Sequence, residues 1–113
     1  MSQYATGPNR SNLTTVTLLD NQATPVTLIS YPATNNNYRW LYYHIRRGSA
    51  YTIADVKMLT DGSTVVGGTN QNTIGTSGIT ISKTVSGGMV LLQYTSTNTG
   101  VNGTFSYSWL ENS

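Results

Sequence analysis

The sequence predicts an all-β domain, an antiparallel, jelly-roll-like β-sandwich of about seven to nine strands. Three observations carry that prediction. Only 9% of the 113 residues are charged, against roughly 25% in ordinary soluble domains, so the polar surface is built from Thr, Ser and Asn. Thr suits a pleated strand because its branched Cβ fits there, whereas Asn, Ser and Gly suit turns. Alternating apolar and polar segments recur between turn signals spaced about every 8–12 residues, and no segment carries a helical period.

The elements follow in order. Residues 1–12 (MSQYATGPNRSN) have no period and contain the breaker Gly7-Pro8, so they read as an extended arm. A single β-sandwich domain is expected over residues 13–113. Leu13 to Leu19 alternates, and Asp20-Asn21-Gln22 turns the chain. Pro25 can open a strand over Val26 to Ser30, because a first-position Pro loses no central ladder bond. A loop through Asn35-Asn36-Asn37 leads into Tyr38 to Arg47 (YRWLYYHIRR), which is bulky on both faces. Such a strand is either central in its sheet or meets another subunit with its outer face. Tyr51 to Leu59 follows with Ala54, Val56 and Met58 toward the core, and Asp61-Gly62 is a hairpin turn into Thr64 to Val66. Gly67 to Gly78 reads as a polar loop. Ile79 to Thr84, Met89 to Thr95 and Thr104 to Leu110 complete the strands, the last with Phe105, Tyr107 and Trp109 inward. The expected core is Val16, Leu18, Leu28, Leu41, Ile45, Val56, Met58, Ile81, Leu92, Phe105, Tyr107 and Trp109.

Composition narrows the function. The chain has a net charge of +2 and a pI near 9.0, but this reflects only six cations against four anions. The longest basic run is Arg46-Arg47. Nucleic-acid binding calls for a basic stripe; Arg39, Arg46 and Arg47 among aromatic residues read instead as a solvated strand end. No nucleic-acid partner is expected. No apolar run reaches the ~20 residues of a membrane helix, and Met1 to Arg10 contains no apolar signal core, so neither a membrane association nor a secretory leader is expected. The absence of cysteine removes disulfides, thiolate metal sites and thiol nucleophiles.

Nothing in the chain assembles into a catalytic or metal motif. His44 is the single histidine and reads as a strand residue on an aromatic face. Of the acids, Asp20 and Asp61 have turn contexts that account for them, and Asp55 lies mid-strand pointing outward. No Gly-rich stretch precedes a helix, so Gly67-Gly68 is not a phosphate cradle. No catalysis, no metal and no cofactor are expected. The informative cluster is Tyr38, Trp40, Tyr42, Tyr43 and Tyr51. Alternation turns about half of such rings inward, and the outward set, Tyr38, Trp40 and Tyr42, is the candidate oligomer or ligand surface.

The order of motifs adds a resemblance. The runs LLDNQATPVTL, YRWLYYHIRRGSAYT, MLTDGSTV and GITISKTVSGGMVLLQYTSTNTGVNGTFSYSW resemble a β-sandwich domain of tailed-bacteriophage virion proteins, found in tail-fibre and appendage proteins and in small capsid-surface proteins. The matching positions are the turn Asn21 to Pro25, the aromatic strand Tyr43 to Arg47, the hairpin Asp61-Gly62 and the closing run Leu92 to Tyr107. Together they span residues 13–110. They are turn and core residues, so they bear on fold and virion origin and transfer no binding site. The segment Asn70 to Ser77 departs from the pattern by lacking an acidic turn.

The resemblance implies a non-enzymatic structural protein on a phage virion surface, made in the host bacterial cytoplasm. It also implies self-association, as a homotrimer, and a capsid or other virion protein as partner. An initial Met, a short arm and no fibre-shaft repeats favour a stand-alone capsid decoration or head-fibre protein. The alternative is a tail-fibre or appendage tip that attaches to a host surface glycan or protein. In the first reading the arm is the dock, with Tyr4 as its aromatic anchor and Arg10 as a charged contact; the alternative is that it packs as an edge strand on its own sandwich.

Overall fold

The computed structural model describes residues 13–34 and 37–111, with side chains as far as residue 109. The docking arm with Tyr4 and Arg10 lies outside the described residues. Nine strands lie among them: β1 Thr14–Leu18, β2 Val26–Pro32, β3 Asn37–Arg47, β4 Ala50–Thr60, β5 Val65–Val66, β6 Thr69–Ile74, β7 Ile79–Ser86, β8 Met89–Ser96 and β9 Gly103–Glu111. They form an all-β sandwich. One sheet has the order β1-β9-β3-β4, with β5 and β6 end to end along the far edge of β4; the other has the order β2-β8-β7. Every pairing is antiparallel. The chain nests β2–β8 inside β1–β9, as a jelly roll does, but keeps β3–β4 and β7–β8 as hairpins within one sheet each.

β3 is central, flanked by β9 and β4 along almost its whole length. Its odd-numbered residues face the second sheet: Leu41, Tyr43 and Ile45 are buried, with Ala54, Val56 and Met58 beside them on β4 and Phe105 on β9. Ile29, Tyr31, Val90, Leu92 and Tyr94 close the core from the other side. Each fully buried Leu, Val or Phe side chain stabilises by roughly 1.5–3 kcal/mol.

Five expected core residues sit further out. Leu28, Ile81, Tyr107 and Trp109 are half-buried against the core, and Val16 is half-buried on β1. On β2 the cause is a register shift between Thr27 and Ile29. A bulge sets two residues against one, so the alternation slips and Ile29, not Leu28, takes the fully buried place. On β7 and β1 the cause is position, since both are edge strands.

The larger correction concerns Gly67 to Gly78. This stretch is not a loop: Thr69–Ile74 is strand β6, registered on β4 from Tyr51↔Ile74 to Val56↔Thr69. All six of its residues are exposed. With no core to cover, β6 has no apolar alternation to reveal it; the free edge of β4 dictates the strand through backbone bonds.

The Asp61-Gly62 hairpin forms as its residues require. Asp61 Oδ1 accepts from the amides of Ser63 (3.0 Å) and Thr64 (2.9 Å) and from both hydroxyls. The Ser63 and Thr64 amides, in that order, hold the carboxyl at about 2, down from 3.8. A carboxyl depressed in the folded state stabilises above its unfolded value, and that stabilisation fades as pH falls towards the folded value. Asp61→Asn is therefore expected to lower stability at neutral pH and to flatten acid destabilisation between pH 3.8 and about 2. Thermal melts across that window check it; parallel wild-type and variant curves would contradict it.

Candidate interaction surface

The even-numbered residues of β3 project from the outer face of the six-stranded sheet. Antiparallel register places Tyr38 opposite Leu59, Trp40 opposite Lys57, Tyr42 opposite Asp55, His44 opposite Ile53 and Arg46 opposite Tyr51. Directly paired side chains share a face, so a two-strand-wide band of rings and aliphatic groups runs the length of the hairpin. Tyr38 and Trp40 are each 46% exposed, Ile53 and Leu59 are exposed on β4, and Ile74 is exposed next to Tyr51 at the other end of the band. All three sequence-predicted surface residues, Tyr38, Trp40 and Tyr42, are thus brought together on one face.

Cations and rings hold the band in place. Lys57 Nζ lies 5.0 Å from the centroid of Trp40, and the Arg46 guanidinium 4.6 Å from that of Tyr51. Such pairs contribute about 0.5–1 kcal/mol at exposed sites. His44 sits between Tyr42 (6.4 Å between centroids) and Tyr51 (5.9 Å). Partial burial, and then the neighbouring Arg46, push its pKa below the ordinary histidine value. The ring is therefore neutral at physiological pH and packs as an aromatic, as its place in the sequence suggests. Across the sheet, burial and the charge of Asp55 raise the Tyr43 hydroxyl to about 12.

The three arginines of β3 do not form a solvated strand end. Arg46 alone points outward. Arg39 faces the inner side, its guanidinium stacked between the rings of Tyr31 (4.3 Å) and Trp109 (4.6 Å). Arg47 is 4% exposed. It donates from Nε to Val101 O (3.0 Å), from Nη1 to Ser77 O (2.9 Å) and from Nη2 to Thr97 O (2.7 Å) and the Asp20 carboxylate. The Asp20 carboxylate also accepts from the amides of Thr99 (2.8 Å) and Gly100 (3.1 Å). The Thr99 amide first, helped by Gly100 and Arg47, holds its pKa below the usual carboxylate value. A turn context alone therefore does not account for Asp20. Together with Arg47 it ties the β1–β2, β6–β7 and β8–β9 connections at one end of the sandwich. Sequence reading missed this knot because its members lie 27 to 54 positions from Arg47.

Among the described residues no three His, Asp or Glu side chains gather into a metal-holding group, and no helix is long and apolar enough to cross a membrane.

No family model matches the chain, and no curated protein matches it. A similar solved structure is the tailspike protein of Acinetobacter baumannii phage AM24, with a TM-score of 0.46 at 9% identity. The match covers 90% of this chain and 26% of that one, so the chain spans about a quarter of the tailspike's length.

Proposed function

We propose that this chain is a non-enzymatic structural protein of a bacteriophage virion, seated on the particle surface as a capsid decoration or head-fibre protein. The observation that carries the reading is the outer face of the six-stranded sheet, where Tyr38, Trp40, Tyr42, Ile53 and Leu59 present a ring-rich surface on a rigid central hairpin. Rigid aromatics at such a face suit protein contact, because they add area at little entropic cost. Virion origin rests on the order of sequence motifs. The committed roles of Asp20 and Asp61 in backbone bonding, and of His44 in ring packing, support a function without catalysis.

The same face motivates self-association, and the resemblance implies that the oligomer is a trimer. Trp40→Arg is expected to convert a sedimenting trimer to monomer at micromolar concentration with an unchanged circular dichroism spectrum. A wild-type monomer would remove the oligomer from the proposal. The arm, through Tyr4 and Arg10, supplies attachment to the shell. Deleting residues 1–11 should leave a folded domain that no longer decorates particles; undiminished occupancy would contradict this.

The second reading is a tail-fibre or appendage tip that binds a host glycan or protein. The half-exposed Trp40 ring favours it, since aromatic faces stack on sugars. Electron microscopy of the parent particle separates the two readings. Density for the sandwich on the shell supports the first, and density at a tail tip replaces it with the second. Absence of the chain from purified virions would overturn both, and glycan hydrolysis lost on His44→Ala or Asp55→Asn would overturn the non-enzymatic assignment.

A further inference from the structure

Strand β6 carries polar side chains where a sandwich places its core. In its register with β4, Thr69, Gln71 and Thr73 fall opposite Val56, Ala54 and Thr52, whose side chains point inward and are buried. Strand patterning puts apolar residues at such positions, and local departures from that pattern concentrate at functional sites. The three residues stay exposed because the second sheet ends short of them. Its edge strand β7 leaves the inward side chains of Ile79 and Ile81 only half-covered. Between the two edges runs a groove of about 650 Å³, floored by Tyr43 and Ile45 of β3. That size falls in the range of roughly 300–1,000 Å³ typical of small-molecule sites.

One end of the groove is held rigid. Thr97 N donates to Gly78 O (3.0 Å), Ile79 N donates to Ser77 Oγ (3.1 Å), and Arg47 Nη1 grips Ser77 O from beneath. A preformed rim lowers the ordering cost of binding.

The lining sets the ligand class. It contains no Asp, Glu, Lys, Arg or His, so an ionic ligand would lose its hydration without a counter-charge. A wholly apolar ligand would strand the hydroxyls and the amide along the β6 wall. Those groups each donate and accept, as the vicinal hydroxyls of a sugar do, while Ile79 and Ile81 opposite offer an aliphatic surface to its C–H face. We infer that the groove between β6 and β7 binds a neutral saccharide, with Thr69, Gln71 and Thr73 taking its hydroxyls. This site goes beyond the proposed virion role: it lies on the opposite side of the sheet from Tyr38, Trp40 and Tyr42 and is independent of where the chain is attached.

The test is nuclear magnetic resonance of the full ¹⁵N-labelled chain. It is titrated with methyl glycosides of glucose, galactose, mannose, rhamnose and the two common N-acetylhexosamines, up to roughly 50 mM to catch millimolar affinity. At least one is expected to give saturable shifts in the amides of Thr69–Ile74 and of 77–81, with the Trp40 indole unmoved. Gln71→Leu, at an exposed position, should weaken that binding roughly tenfold, and Ser30→Ala, exposed on the far edge strand of the other sheet, should leave it unchanged. Thr69→Val, nearly isosteric, gives a second reading of the same wall; Thr73 is left intact because its hydroxyl also bonds the buried Thr52 hydroxyl (3.0 Å). No saturable shift with any glycoside, shifts confined to the Trp40 face, or full affinity in both β6 variants would overturn the inference. Because the titration uses the purified chain, its failure is distinct from a failure of the virion assignment.

Discussion

Arg47→Met is expected to lower the unfolding free energy by about 3–5 kcal/mol, the usual cost of removing one partner from a buried ionic network. Of an expected total of about 5–15 kcal/mol, this is a large share. The size follows from what the guanidinium satisfies. Val101 O, Ser77 O and Thr97 O all take their charge-assisted bond from it, and Asp20 its ion pair. Methionine fills much of the volume but donates nothing, so three carbonyls lose a partner at once. Arg47→Lys is expected to recover only part of the loss, because a point-like ammonium cannot spread its donors over acceptors from separate loops. Arg46→Met is the control: the same change one residue earlier, on an exposed side chain, should cost less than about 1 kcal/mol. Urea denaturation of the three variants measures this. Similar midpoints for the changes at 46 and 47 would mean that the knot holds nothing together.

Gly67→Ala is expected to be the most disruptive change on the β5–β6 side, at about 2–3 kcal/mol. Gly67 has a φ of +141°, and a Cβ there would lie 1.9 Å from Lys57 O. That oxygen is backbone and cannot swing aside. The adjacent bond from Lys57 N to Gly68 O (3.0 Å) pins the chain at the same spot. The alanine variant must let the β5–β6 connection peel from β4, which should appear as lost amide-exchange protection over β5 and β6 while β3 and β9 stay protected. Gly68→Ala, where a Cβ meets nothing within 4 Å, should cost less than about 1 kcal/mol. Equal stability of the two variants would show that the close approach at Gly67 is not a constraint.

Most of the sandwich was legible because alternation is a local property. Leu41, Tyr43 and Ile45 against Trp40, Tyr42 and His44 can be sorted by counting in twos, and the structure sorts them so. The outward set Tyr38, Trp40 and Tyr42 was readable for the same reason. Leu28 shows the limit. A bulge arises from pairing with β8, and the count cannot register an extra residue that only a partner strand reveals.

By itself the sequence determined the all-β class, the two long strands of the β3–β4 hairpin, the faces of their side chains, and the lack of thiol chemistry. Each depends on residue type and near-neighbour spacing alone. Only the tertiary structure decided that Thr69–Ile74 is a strand, that Arg47 is buried rather than solvated, and that an uncharged groove opens between β6 and β7. These depend on which edges the two sheets leave uncovered and on which distant carbonyls meet at one end of the sandwich. Hydrogen-bond partners 27 to 54 positions from Arg47 leave no periodic trace in the chain.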